Sequence, residues 1–131
     1  VYTRYADDIT ISADEDISNH LCEVKKIIQK YGFEINEQKT HIMKDNYRKM
    51  VTGLVVTDTV KVPQKFKRKF RQEIYYCEKF GVEQHLKNIG RKSAVNFKEY
   101  MYGKAYFIKM VEEDVGNKFL KELDQIFSLV Y

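Results

Sequence analysis

Tyr2-Thr3-Arg4-Tyr5-Ala6-Asp7-Asp8-Ile9-Thr10-Ile11-Ser12, close to the start of the chain, reads as a strand, a tight turn and a returning strand. Tyr2 to Tyr5 and Ile9 to Ser12 are the β-prone runs, and Ala6-Asp7-Asp8 separates them. An acidic doublet is therefore expected at a hairpin tip, where the flanking strands limit its freedom. Hard divalent cations such as Mg²⁺ take oxygen ligands and are commonly held by one or two carboxylates together with substrate phosphates. Asp7 and Asp8 are thus candidate metal ligands for phosphoryl transfer, in which one ion activates an attacking hydroxyl and another stabilises the leaving oxygen. Taken alone, the same residues also fit a solvated acidic turn.

Downstream, Leu21, Val24, Ile28 and Tyr31 form one helical stripe over Ser18 to Tyr31, with Ser18 placed to cap its start and Gly32 to stop it. Phe33-Glu34-Ile35-Asn36 alternates as a strand, and Val51 to Val56 with Val60 to Val62 predicts a second hairpin through Thr57-Asp58-Thr59. Pro63, the only proline, opens a helix at a position where its missing N–H costs nothing. Helical patterns follow: Lys65 to Phe80 ending at Gly81, Glu83 to Asn88 stopped by Gly90, Ala94 to Val111, and Val115 to Val130. Their stripes are Phe66, Phe70, Ile74 and Cys77; Phe97, Met101, Ala105 and Ile108; and Phe119, Leu123, Ile126 and Val130. Three such amphipathic helices can form a small bundle. Glu112, Glu113 and Asp114 are expected to cap or separate the last two. The expected class is α+β, with a mixed strand-and-helix part over 1–62 and an all-helical part over 63–131.

The chain has 131 residues, enough for one domain or the tail of a larger one. Its 44% hydrophobic content argues against disorder, and no apolar run approaches the roughly 18 residues of a membrane span. Cys22 and Cys77 have neither disulfide-framework nor zinc spacing, which suits a reducing cytosol and small core or semi-buried side chains. His20, His41 and His85 show no metal-ligand spacing and are expected as surface or capping residues. The opening Val-Tyr-Thr-Arg-Tyr carries neither an initiator Met nor an export signal, and predicts a C-terminal portion of a longer polypeptide.

Charge is uneven. Residues 1–60 hold 8 Lys+Arg against 10 Asp+Glu, and residues 61–131 hold 15 against 9. Lys61, Lys65, Lys67, Arg68, Lys69 and Arg71 occur without an intervening acid. Such a cluster repels itself unless a polyanion lies against it, although a solvated basic helix face is the plainer alternative. Helical spacing sends Phe66, Phe70, Ile74 and Cys77 inward and leaves the cations and Tyr75 for the outer face, where an aromatic ring can stack on bases.

Tyr5-Ala6-Asp7-Asp8, with Arg4 before it and Ile9-Thr10-Ile11 after it, resembles the YADD motif of reverse transcriptases, particularly the bacterial kind of retrons and group II introns. Gly32-Phe33-Glu34-Ile35-Asn36 with Lys39-Thr40 is similar to the next polymerase motif. Val51-Thr52-Gly53-Leu54-Val55-Val56 looks like the primer-grip hairpin, with a Val-Thr-Gly triplet like that of retron enzymes. Pro63, the basic helix and Gln72-Glu73-Ile74-Tyr75-Tyr76 resemble the start of the retron thumb. The resemblance covers nearly the whole chain in matching order. It implies the C-terminal half of a polymerase palm over 1–62 and a helical thumb over 63–131, in a retron-type enzyme of Mg²⁺-dependent, RNA-directed DNA synthesis.

The resemblance also implies roles. Asp7 would be the main metal ligand and Asp8 the second carboxylate, with Tyr5 and Ala6 beside the primer end and the incoming nucleotide. Lys39 would neutralise or protonate the departing pyrophosphate, unless it is a solvated loop lysine, while Asn36 shapes the turn. Gly53, Leu54 and Val55 would hold the primer strand by backbone contacts, and Val51 and Thr52 would take part in recognising a cognate structured RNA. Lys65, Lys67, Arg68, Lys69, Arg71 and Tyr75 would follow the backbone of an RNA/DNA hybrid. The implied partners are a structured non-coding RNA, dNTPs, the N-terminal half of the polymerase and an effector protein of antiviral defence, in the bacterial cytoplasm and without a membrane. In the family, another metal-binding Asp and the fingers precede these motifs and do not stand in this sequence, so the segment alone is expected not to polymerise. A group II intron maturase and a non-catalytic RNA-binding or scaffolding module are the rival readings.

Overall fold

The computed structural model describes residues 1–44, 48–90 and 96–128. The chain divides into two compact units, Val1–Thr52 and Gly53–Tyr131.

In the first unit, β1 (Tyr2–Tyr5) pairs antiparallel with β2 (Asp8–Ile11), in register from Tyr2↔Ile11 to Tyr5↔Asp8. The pairing reaches Asp8, so the turn is the two-residue Ala6-Asp7 rather than the expected three residues, and Asp8 stands on the returning strand. At the open end the Ser12 N–H donates to the Val1 carbonyl at 2.8 Å. A 3-10 turn over Ser18–His20 leads into α1 (Leu21–Lys30). Ser18 does not cap it. Instead the Asp16 carboxylate accepts from the Ser18 backbone N–H at 2.8 Å and from the Ser18 hydroxyl, because a charged acceptor outcompetes a hydroxyl for a free donor. Gly32, at φ 81, ends the helix with its N–H on the Gln29 carbonyl at 2.9 Å.

Phe33 to Asn36 is not the expected strand, and among the described residues nothing pairs with it. The Asn36 side chain accepts from the N–H groups of Gln38 (3.0 Å) and Lys39 (3.3 Å), folding Glu37–Lys39 into a 3-10 turn. The expected Val51–Val56 strand is broken in two. β3 (Met50–Val51) ends at Thr52 (φ 47) and Gly53 (φ 83), consecutive left-handed residues of the kind that form two-residue hairpin turns. None of the described residues of this unit is buried: Leu21, Val24 and Ile28 are half-buried, and Ile27 and Tyr31 are exposed.

In the second unit, β4 (Leu54–Val56) pairs antiparallel with β5 (Val60–Lys61) through Thr57-Asp58-Thr59, as expected. Pro63 precedes α2 (Gln64–Phe80), and its carbonyl accepts from the N–H groups of Phe66 (3.0 Å) and Lys67 (3.2 Å). Gly81, at φ 81, turns the chain into α3 (Val82–Asn88). α4 (Phe97–Val111) follows left-handed Asn96 (φ 61), and its expected start at Ala94 lies outside the described residues. α5 (Glu113–Ser128) begins two residues before the expected Val115, because Glu112 alone, at φ −132 and ψ 85, breaks the path from α4; Val130 lies outside the described residues.

The stripes of α2, α4 and α5 meet in one core with Val62, Val82 and Leu86. Phe70, Met101, Ala105, Ile108 and Leu123 are almost fully buried, each larger side chain contributing about 1.5–3 kcal/mol. The Phe70 and Phe119 rings meet edge to face at 5.1 Å. α5 presses Gly116 against Lys109 of α4, so that a Cβ there would overlap the Lys109 backbone. Among the described residues no helix is long and apolar enough to cross a membrane.

Candidate functional site

The acidic doublet is held by backbone geometry. Tyr5 and Asp8 are cross-strand partners, and Ala6 bridges them at φ 52, a conformation that costs a non-glycine residue about 1–2 kcal/mol. Arg4 offsets part of that cost, its Nε–H donating to the Ala6 carbonyl at 2.7 Å. Asp7 sits in the turn and Asp8 one peptide further on the strand; both are exposed, as is the Tyr5 ring. Lys39 is exposed at the end of the Asn36 turn, and that turn is tied to α1 by the ion pair from Lys25 Nζ to Glu37 Oε2 at 2.5 Å.

Among the described residues no three His, Cys, Asp or Glu side chains come together. The donor set at the tip is therefore two hard carboxylates. That suits Mg²⁺ in type, since this ion keeps water and substrate oxygens in its shell, and leaves most of the octahedron to other ligands.

The residues expected to recognise the RNA, Val51 and Thr52, and to grip the primer, Gly53, Leu54 and Val55, surround the second turn. Val51 is half-buried and Thr52 and Gly53 are exposed; Leu54 packs against the core, and Val55 is buried and paired with Lys61 of β5.

On α2, Lys65, Arg68, Lys69, Arg71 and Tyr75 are exposed. Arg68, Lys69, Arg71, Gln72 and Tyr75 line an open groove of about 570 Å³. The Arg71 guanidinium stands 5.7 Å from the Phe119 ring centre, and Lys79 Nζ lies 5.4 Å from that of Tyr75. Lys67 is set apart from these cations. Its side chain is 5% exposed, and its Nζ donates to both oxygens of Glu112, at 2.7 and 2.8 Å. Its charge is balanced inside the bundle rather than offered outward. Glu112 also accepts from the Val62 N–H at 2.8 Å. Burial pushes the Glu112 carboxyl up, but the hydrogen bonds from Lys67 and Val62 and the charges of Lys67 and Lys61 outweigh it and hold the group below its usual range. The hairpin tip belongs to one unit and this cationic face to the other.

Sequence comparison finds relatives among bacterial proteins. The retron Se72 reverse transcriptase of Salmonella heidelberg (strain 579083-10) is 40% identical over 96 residues, which cover 66% of this chain and 25% of that protein. By sequence, the chain is a homologue of the retron reverse transcriptases. The retron Mx162 reverse transcriptase of Myxococcus xanthus is 27% identical over 145 residues, covering 97% of this chain and 28% of its own length. The retron Ec86 reverse transcriptase of Escherichia coli is 32% identical over 92 residues, with 66% and 29% covered. The chain thus spans about a quarter of the length of these relatives. No family model and no solved structure matches it.

Two side chains of this retron reverse transcriptase homologue depart from their expected places. His85 is no surface or capping residue: it is 3% exposed, its ring 5.9 Å from Tyr76 and 6.1 Å from Phe97. It shares the buried face of α3 with Val82 and Leu86, a spacing that could have revealed it. Cys77 is buried as its stripe required, and burial, aided by the Glu73 charge, pushes its thiol up to about 11. Cys22 is exposed rather than semi-buried.

Proposed function

We propose that this chain is the C-terminal palm, over 1–62, and the thumb, over 63–131, of a retron reverse transcriptase, which copies a structured non-coding RNA into DNA. The observation that carries the proposal is the strained two-residue turn that presents Asp7 and Asp8, in a chain homologous to retron reverse transcriptases. Sparsely populated backbone conformations cluster at active sites and ligand clamps, which supports this reading of the tip.

In this reading Asp7 and Asp8 hold Mg²⁺, which when bound supplies Lewis-acid activation of the primer hydroxyl and neutralises charge on the leaving oxygen. The contact from Arg4 to the Ala6 carbonyl fixes the turn beforehand, so little ordering remains for substrate to drive. Tyr5 and Ala6 border the primer end and the dNTP. Lys39 Nζ delivers charge or a proton to the departing pyrophosphate, with its backbone fixed by Asn36. Gly53, Leu54 and Val55 grip the primer strand, and Val51 and Thr52 take part in recognising the structured RNA. Lys65, Arg68, Lys69 and Arg71 follow the phosphates of the RNA/DNA hybrid, and Tyr75 stacks beside them. Lys67 acts from within, fixing the start of α2.

Ile27, Tyr31 and Phe33 are exposed at 57%, 73% and 66%, which suits a unit covered by the N-terminal half of the polymerase. That half would also bring a further carboxylate, so this segment alone does not polymerise. The test is primer extension on an RNA template by the full-length protein with Asp7→Asn. Loss of extension with RNA binding retained supports the proposal; extension at the wild-type rate, or none in either form, favours a non-catalytic RNA-binding module.

A further inference from the structure

Between α2 and α3 lies a second cavity, of about 520 Å³, unlike the cationic groove in its chemistry. His85 forms part of its wall, and the His85 Nε2 is fully buried without a hydrogen-bond partner. A buried polar atom left unpaired costs stability, and proteins keep few of them without a reason. Beside it the rings of Tyr76 and Phe80, 6.1 Å apart, supply an aromatic wall, and Gln72 Nε2 donates to the Tyr76 hydroxyl at 3.2 Å. Lys69 and Gln72 line this cavity and also the groove that carries Arg68 and Arg71. One helix therefore offers cations on one side and, across the shared Lys69 and Gln72, a pocket with flat apolar walls and one unsatisfied nitrogen.

A small anion would account for Lys69 but not for the aromatic wall, and an apolar ligand would leave Nε2 unpaired. A planar heterocycle with a hydrogen-bonding edge, linked to a phosphate, accounts for Lys69, the aromatic wall and Nε2; the Glu73 carboxylate, which also lines the cavity, is neutralised by Lys104 Nζ at 2.6 Å. The ring stacks on Tyr76, a shift of the His85 wall admits its edge to Nε2 whichever tautomer the imidazole adopts, and the phosphate lies at Lys69. The volume falls within the roughly 300–1,000 Å³ of small-ligand pockets. We infer that this cavity receives one unpaired nucleobase of an RNA whose backbone runs along Arg68, Lys69 and Arg71. The inference rests on the proposed nucleic-acid role of that face.

The experiment uses the full-length protein and two fluorescent RNA hairpins, one fully paired and one with a single bulged adenosine, with affinity read by anisotropy. The bulged hairpin is expected to bind about 3- to 10-fold more tightly. His85→Phe keeps the ring and removes the nitrogen, and should reduce that preference to within about twofold. Ile89→Trp, at a rim residue 51% exposed, should do the same by filling the pocket, and tests the inference if His85→Phe does not fold. Equal affinity of the wild type for both hairpins, with steep salt dependence, overturns the pocket and leaves the cationic face standing. Salt-independent binding, or no binding, overturns both. Displacement of the RNA by micromolar adenosine monophosphate overturns the RNA assignment and gives the pocket to a free nucleotide.

Discussion

Glu112→Gln removes one charge from the interior of the bundle and little else. Gln keeps the shape and an oxygen for the Val62 N–H, but Lys67, whose side chain is 5% exposed, loses its counter-charge. Removing one partner of a buried ion pair costs about 3–5 kcal/mol, because the remaining charge is stranded in low dielectric. The partial exposure of Glu112, at 15%, puts the expectation at the lower end, about 3 kcal/mol. Urea unfolding, followed by circular dichroism, measures it. Lys67→Met/Glu112→Gln should recover most of the loss, since no unpaired charge remains, giving a coupling of about 2–3 kcal/mol in the double-mutant cycle. The pH dependence has a defined sign. The folded Glu112 carboxyl lies below its reference value of 4.5, so the pair contributes its full stability above about pH 4.5 and loses it as pH falls through the lowered folded value. In parallel, Lys67→Met should weaken hybrid binding far less than Lys69→Gln. A Glu112→Gln variant within about 1 kcal/mol of wild type, or equal binding losses from Lys67→Met and Lys69→Gln, refutes the reasoning.

Other expectations follow from individual side chains. Gly116→Ala forces a Cβ into the Lys109 backbone and should cost about 1–3 kcal/mol, read as a lowered Tm; an unchanged Tm means that α4 and α5 are not so closely apposed. In iodoacetamide at pH 8, of these two cysteines only Cys22 should react in native protein, and Cys77, buried with its thiol at about 11, should react only after denaturation. Arg68→Gln/Lys69→Gln should reduce the slope of log K against log salt for hybrid binding by about one unit for each phosphate no longer neutralised, and an unchanged slope would place the hybrid elsewhere.

Sequence periodicity carried much of the bundle. Phe70, Ile74 and Cys77 on α2, Met101, Ala105 and Ile108 on α4, and Phe119, Leu123 and Ile126 on α5 lie inside as their spacing required. The β1–β2 hairpin was legible from alternation and a short polar break, down to one residue of the turn. The failures share a cause: they depend on what a residue meets in space. A strand over Phe33 to Asn36 needs a partner, and local alternation cannot supply one. Lys67 belongs by charge to the basic cluster, yet stands three residues before Phe70 and seven before Ile74, on the buried stripe; its partner lies 45 residues away. His85 was lost in the same way on the stripe of Val82 and Leu86. Of the candidate site, the order of motifs was readable, whereas the left-handed φ of Ala6 and Thr52 and the α2–α3 cavity belong to geometry alone.

The most direct measurement is a Mn²⁺ titration of the full-length protein by electron paramagnetic resonance, with primer–template and a non-hydrolysable nucleotide bound. If Asp7 and Asp8 carry the metal, Asp7→Asn should weaken Mn²⁺ binding by roughly 10- to 100-fold or more. Mn²⁺ affinity indistinguishable from wild type would contradict the assignment of the hairpin tip as the catalytic centre.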